Sequence, residues 1–239
     1  MTIGIIPARA GSKRLPGKNI KPFGGQPLVL HIVQTALQAH SIDRVYVTTD
    51  DDDIIALVTD LEDVVAIRRP ERLADDESPA IDYIHHLFGQ IDDIDQVEYA
   101  VILQPTSPLT LPGDIDAAVD MLKAREVDTV VSMVEVEHML NPLKLKVMDG
   151  DTVKPYLEEE NGRMAHHELP NVYVRNCAIY ASKKSVYTGG QVIGTDCLGY
   201  VMPRERSVDI NDGLDFDFAE FLYRRSAADV DTSSSSVRE

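Results

Sequence analysis

Short apolar runs, each too brief for a helix, alternate along this chain with segments whose apolar residues recur at helical spacing. No other feature constrains the fold as much, because strands separated by crossover helices pair in parallel. Ile3-Gly4-Ile5-Ile6 predicts a first buried strand, and Leu28, Ile32, Val33, Ala36 and Leu37 predict a helix over residues 28–39. Val45 to Thr48 reads as the next strand, and the acidic run from Asp50 to Asp53 suits the N-terminus of a helix carrying Ile54, Ile55 and Val58. A third strand follows at Val64 to Ile67. Ser78-Pro79 reads as an N-cap with a first-turn proline, opening a helix that carries Ile81, Ile84 and Leu87. Tyr99 to Leu103 is nearly all apolar, as a central parallel strand should be.

Pro112 to Arg125 predicts a helix and Thr129 to Val134 another buried strand. From 135 to 174 the pattern weakens into short extended pieces with a turn at Asp149-Gly150, an excursion from the main sheet. Cys177 to Tyr180 returns as a strand. The stretch 213–226 predicts a closing helix with Leu214, Phe218, Phe221 and Leu222 on one face. The expected architecture is one α/β domain over residues 1–231, a mainly parallel sheet flanked by helices, with a disordered serine-rich tail at 232–239.

A length of 239 residues suffices for such a core. No run of about eighteen apolar residues occurs, so no membrane span is expected, and the N-terminus lacks the pattern of a signal peptide. Cys177 and Cys197 are too few and too far apart for a disulfide framework or a zinc site, and a reducing cytoplasm is the expected setting. Forty acidic residues against 23 Lys and Arg give a formal net charge of −17, which argues against nucleic acid as a partner. Asp outnumbers Glu and Lys is scarcer than Arg, a surface that fits a halophile's salt-rich cytoplasm or an ordinary acidic bacterial enzyme.

Against that background, Arg9, Lys13, Arg14, Lys18 and Lys21 form a basic cluster with no acid among them. The segment Pro7-Ala8-Arg9-Ala10-Gly11-Ser12-Lys13-Arg14-Leu15-Pro16-Gly17-Lys18-Asn19 leaves the C-terminal end of the first strand, the edge at which open α/β sheets bind ligands. Its glycines let backbone N–H groups approach phosphate oxygens while Arg and Lys neutralise charge. A solvated basic loop and an anion-binding loop are both compatible with this composition. The loop matches neither the Walker pattern nor the dinucleotide glycine fingerprint.

The loop resembles the signature segment of the CMP-sialate synthetases (acylneuraminate cytidylyltransferases), nucleotidyltransferases with a glycosyltransferase-A-like α/β fold. Further motifs occur in that family's order. Arg68-Arg69-Pro70-Glu71-Arg72-Leu73-Ala74-Asp75-Asp76 is similar to "RPxxLAxD", and Leu103-Gln104-Pro105-Thr106-Ser107-Pro108-Leu109 to "LQPTSPLR". Pro142-Leu143-Lys144 matches "PLK", and Asn176-Cys177-Ala178-Ile179-Tyr180 resembles "NGAIY". The run from Asp209 to Phe216 resembles "DIDxxxDF". There are departures: Arg175 where proline is usual, Cys177 for Gly, Asn211 for a second Asp, and His166-His167 where an arginine-rich segment is common.

The resemblance implies transfer of CMP from CTP to a sialic-acid-like nine-carbon acid, with release of pyrophosphate. It implies a nucleotide site built from Ala8, Arg9, Gly11, Ser12, Lys13, Lys18, Asn19, Arg69 and Ala80. It further implies a sugar site of Gln104, Lys144, Asn176 and Tyr180, and Mg²⁺ or Mn²⁺ held by Asp209 and Asn211. Arg9, Lys18, Gln104 and Asp209 would carry the chemistry. A homodimer joined by a small lobe at about 136–174 is also implied. The alternatives are the same chemistry on legionaminate, pseudaminate or Kdo, or a catalytically weak nucleotide-binding homologue.

Overall fold

The computed structural model describes residues 1–157 and 169–235, and of residues 227–235 it describes the helix alone. His166 and His167 lie outside the described residues. The strands and helices follow in the order β1 (Thr2–Pro7), β2 (Pro22–Phe23), β3 (Gln26–Pro27), α1 (Leu28–Gln38), β4 (Arg44–Thr49), α2 (Asp52–Val58) and β5 (Val64–Arg68). Next come α3 (Ala80–Phe88), β6 (Tyr99–Leu103), α4 (Pro112–Arg125), β7 (Thr129–Glu135), β8 (Lys146–Asp149) and β9 (Thr152–Pro155). The chain closes with β10 (Tyr173–Lys183), α5 (Lys184–Thr188), β11 (Cys197–Val201) and α6 (Gly213–Ser235).

Seven strands form one sheet in the order β11-β7-β10-β6-β1-β4-β5. β10 alone runs against its neighbours, antiparallel to both β6 and β7, while the other neighbouring pairs are parallel. Side chains alternate along each strand, so β1 and β6 feed two cores. Ile6, Val101 and Leu103 face α1, α2 and α4. Ile3, Ile5, Ala100 and Ile102 face Tyr83, Ile84 and Leu87 of α3 and Tyr187 of α5. The mainly parallel sheet flanked by helices is the architecture expected from the alternation.

Two local readings are corrected. Ser78 does not cap α3: Pro79 occupies the N-cap position, and the Ser78 hydroxyl instead donates to Arg72 O and Asp75 Oδ1. The closing helix also turns a different face inward. Leu214, Phe218 and Phe221 are exposed, whereas Phe216 and Ala219 are buried and Leu222 and Tyr223 pack beside them. This helix carries two apolar stripes, and its inward face is chosen by an aromatic cluster. Phe23 meets Phe216, His31 and Tyr223 at ring separations of 5.5, 5.0 and 5.3 Å. α6 continues to Ser235, into the segment expected as a tail, of which residues 236–239 lie outside the described residues.

β11, a short apolar stretch to which the sequence reading assigns no element, pairs with β7 at the sheet edge. The excursion appears as a separate β8-β9 hairpin turning through Asp149-Gly150. Tyr173 and Val174, read as part of that excursion, already belong to β10.

The β2-β3 turn sits directly against α6. Gly24 has φ +56°, and a Cβ there would lie 2.2 Å from the Tyr223 ring. Gly24→Ala therefore combines a left-handed conformation with a clash, and an equilibrium urea titration should show roughly 1–3 kcal/mol of lost stability.

Candidate active site

Parallel strands deliver their C-terminal ends to one edge, and the basic loop leaves β1 at that edge. Ala8 is fully buried and its N–H donates to Thr48 O, so the loop starts from a fixed point. Asp50 Oδ1 accepts from Ala10 N at 2.9 Å, and Asn19, itself buried, donates to Arg9 O at 2.9 Å. Gly11 and Ser12 form the tip, with Ser12 N bonded to Ala10 O. The side chains of Arg9 and Lys13 both reach Asp76, Arg9 at 2.5 Å from Oδ1 and Lys13 at 2.5 Å from Oδ2. The hydrogen bonds from Lys13 and then Arg9 hold the Asp76 carboxyl below its ordinary range.

Beside this loop lies a cleft of about 280 Å³ lined by Arg9, Arg69, Asp76, Ala80, Tyr83 and Gln104 among others. Arg69 is buried, donates to Thr48 Oγ1 and Thr48 O, and lies 4.4 Å over the Tyr83 ring. Burial lowers the Arg69 pKa, and it pushes that of Tyr83 up to about 12 against the opposing pull of Arg69. Ala80 opens α3 one turn before Tyr83 and lines the same cleft, and Gln104 enters from the end of β6. A flat guanidinium backed by an aromatic ring, with a small residue on the same cleft wall, leaves room for a planar base.

The segment before α6 closes the other side. Lys18 Nζ donates to Ile210 O at 2.8 Å, and Ile210 N donates to Thr106 O in the loop after Gln104. Burial lowers the Lys18 pKa, Asp209 raises it, and Arg14 and Arg9 lower it further, so Lys18 feels both the neighbouring cations and the Asp209 carboxylate. Arg14 reaches the same segment, donating to Asn211 Oδ1 at 2.9 Å. Asn211 Nδ2 in turn donates to Asp209 Oδ2, and Asp215 Oδ2 accepts from Asn211 N. Asp212 caps α6 by accepting from Leu214 N and Asp215 N. Behind this segment, buried Asp114 of α4 binds Arg206 at 2.6 and 3.0 Å and the Tyr200 hydroxyl.

Of the two expected metal ligands, Asp209 offers carboxylate oxygens while the Asn211 oxygen already accepts from Arg14. No cluster of three His, Cys, Asp or Glu able to hold an ion occurs among the described residues. A hard-oxygen donor set of one carboxylate fits Mg²⁺, which keeps most of its coordination for water and substrate phosphates.

The expected sugar residues do not all converge. Asn176 is buried and donates to Ser207 Oγ and Met202 Sδ, supporting the 203–209 segment from beneath. Tyr180 packs partly buried against the Ile3–Tyr187 core; burial raises its pKa, with the Cys177 side chain adding to the effect. Lys144 sits on a 3-10 turn of the lobe and bonds to His138. Asp76, Tyr83 and Arg14 were not among the residues expected in the site. The unpaired basic loop was the signal for Asp76 and Arg14, since cations gathered on so acidic a chain call for a local acid or amide partner.

Cys177 occupies a register break in β10 with φ +63°, a conformation that costs a non-glycine residue about 1–3 kcal/mol. Cys177→Gly should raise stability by about 1 kcal/mol, the relief of strain exceeding glycine's extra unfolded-state entropy. The midpoint of urea unfolding, with unchanged slope, is the measurement that checks it.

Similarity to known proteins bears on the family and the fold. The chain is similar to an N-acylneuraminate cytidylyltransferase of Streptococcus agalactiae, 30% identical over 90% of this chain and 51% of that protein. It is also similar to the CMP-N,N'-diacetyllegionaminic acid synthase of Legionella pneumophila, 31% identical over 92% of this chain and 95% of that one. The chain thus spans about half the length of the first relative and nearly all of the second. A solved structure of CMP:2-keto-3-deoxy-manno-octonic acid synthetase complexed with CTP shares the fold, with a TM-score of 0.69 at 16% identity, covering 94% of this chain and 99% of that one. Residues 3–193 match the Cytidylyltransferase family, and the chain belongs to that family.

Proposed function

We propose that this protein transfers CMP from CTP to a sialic-acid-like nonulosonic acid and releases pyrophosphate. The observation that carries the reading is the convergence of Arg9, Lys18, Arg69 and Gln104 at one sheet edge, with the Asp209 segment tied to Lys18. Arg69 and Tyr83, with Ala80 leaving room beside them, would hold the cytosine, and Lys13 and the loop N–H groups the outer phosphates. The anomeric hydroxyl of the sugar attacks the α-phosphorus as the bond to the bridging oxygen of pyrophosphate breaks, and the hydroxyl proton passes to solvent. Such transfer depends on positioning and charge stabilisation. Arg9 and Lys18 therefore face the charge that grows on the α-phosphoryl oxygens, and Gln104 orients the acceptor. Asp209 would hold a divalent ion together with triphosphate oxygens, and that ion supplies further neutralisation of the phosphates.

A second acceptor, a legionaminic-type acid, is favoured by the near full-length match to the Legionella relative. The lobe carrying β8 and β9 exposes Val147, Met148, Val153 and Tyr156, an apolar surface that suits pairing with a second copy. A reducing cytoplasm suits the free Cys177 and Cys197, and no helix among the described residues is long and apolar enough to cross a membrane.

The test is pyrophosphate release with CTP, Mg²⁺ and a panel of sialic, legionaminic, pseudaminic and eight-carbon acid sugars. Release with a nine-carbon acid is expected, while silence across the panel with CTP bound would overturn the reading. Arg9→Ala should lower kcat about a hundredfold with a smaller change in KM, since its charge counts most in the transition state.

A further inference from the structure

Asp76 is the only carboxylate among the described ion pairs to join two cations of the basic loop. Its oxygens are divided between them, Oδ1 on Arg9 and Oδ2 on Lys13, both at 2.5 Å. Its neighbour Asp75 is engaged differently, accepting from Ser78 and from the backbone N–H of Glu77. Asp76 lines the same cleft as Arg9, Arg69 and Gln104, yet about a third of its side chain stays exposed, so the carboxylate can swing to water without disturbing the core. Two cations held a few ångströms apart repel each other. An anion between them gathers the pair and sits where an incoming polyanion's oxygens would have to bind.

We infer that Asp76 is an internal placeholder for phosphate: it gathers Arg9 and Lys13 in the empty protein, is exchanged for the outer phosphates of the nucleotide, and competes for the same two cations as pyrophosphate leaves. This rests on reading the loop as a phosphate site. Arg9 and Lys13 cannot keep full contact with Asp76 while neutralising a triphosphate, because each new phosphate oxygen beside that carboxylate adds like-charge repulsion. The exchange weakens binding of every ligand that uses Lys13 and hastens its departure. A nucleoside monophosphate, which has no outer phosphates, is affected least.

The test measures dissociation constants for inorganic tripolyphosphate, pyrophosphate, CTP and CMP by titration calorimetry without divalent cation. The proteins are the wild type, Asp76→Asn, Lys13→Met and the double variant. Asp76→Asn should tighten tripolyphosphate, pyrophosphate and CTP about three- to fivefold, the scale of a partly exposed ion pair, and CMP less. In the Lys13→Met background most of that gain should vanish, because the contested cation is gone. Weaker tripolyphosphate binding by Asp76→Asn would overturn the inference in favour of a carboxylate that only pre-orders the loop. An equal gain with and without Lys13 would overturn it in favour of a through-space charge effect. The phosphate probes separate the two readings: tripolyphosphate exchange without sugar-dependent turnover would leave the placeholder standing and remove the transferase.

Discussion

Parallel pairing of β1 with β4 and β6 is the constraint on which the rest of the structure depends. Parallel neighbours cannot be joined by tight turns, so each crossover must pass over a face of the sheet, and all the loops that follow the strands gather at one edge. The basic loop after β1, Arg69 after β5 and Gln104 after β6 meet there because β6, β1, β4 and β5 run side by side in that order and all end at that edge. Thr48 at the end of β4 ties two of them together, accepting from Ala8 N and from the buried Arg69 guanidinium.

The other half of the site comes from distant chain and is held by side-chain contacts. α6 docks through the Phe23–Phe216–Tyr223 cluster and through Glu220, which accepts from Gly24 N. The 203–209 segment is held by Asp114 on Arg206 and by Asn176 on Ser207. Lys18 and Arg14 then cross from the basic loop to Ile210 and Asn211. Asp209 is positioned by these connections rather than by any strand, which is why a single carboxylate can stand close to a basic loop about 190 residues earlier in the chain.

The cations of the loop already have polar partners within the protein: Asp76 answers Arg9 and Lys13, the Asn211 amide oxygen answers Arg14, and Ile210 O answers Lys18. A cluster of cations left unpaired would repel itself and resist folding. Local pairing lets the loop form without a ligand, and a strong polyanion can still displace the weakest member, the exposed carboxylate.

The apolar runs by themselves determined the strands β1, β4, β5, β6 and β7, because strands inside a parallel sheet are buried on both faces and even the edge strand β5 packs Val64, Ala66 and Ile67 against the cores, while helical spacing determined Pro112–Arg125. The long motifs determined the family, since each is a run of residue types fixed over a few neighbouring positions. Only the tertiary structure decided which stripe of α6 faces inward, because Leu214–Phe218–Phe221 is at least as apolar as Phe216–Ala219–Tyr223 and the choice was made by Phe23 and His31 across the fold. β11 belongs to the same class, its pairing supplied by β7 rather than by its own composition. So do the partnership of Asp76 with two cations and the placing of Asn176 beneath Ser207. Each joins residues far apart in sequence, and such contacts leave no periodic trace in the chain that makes them.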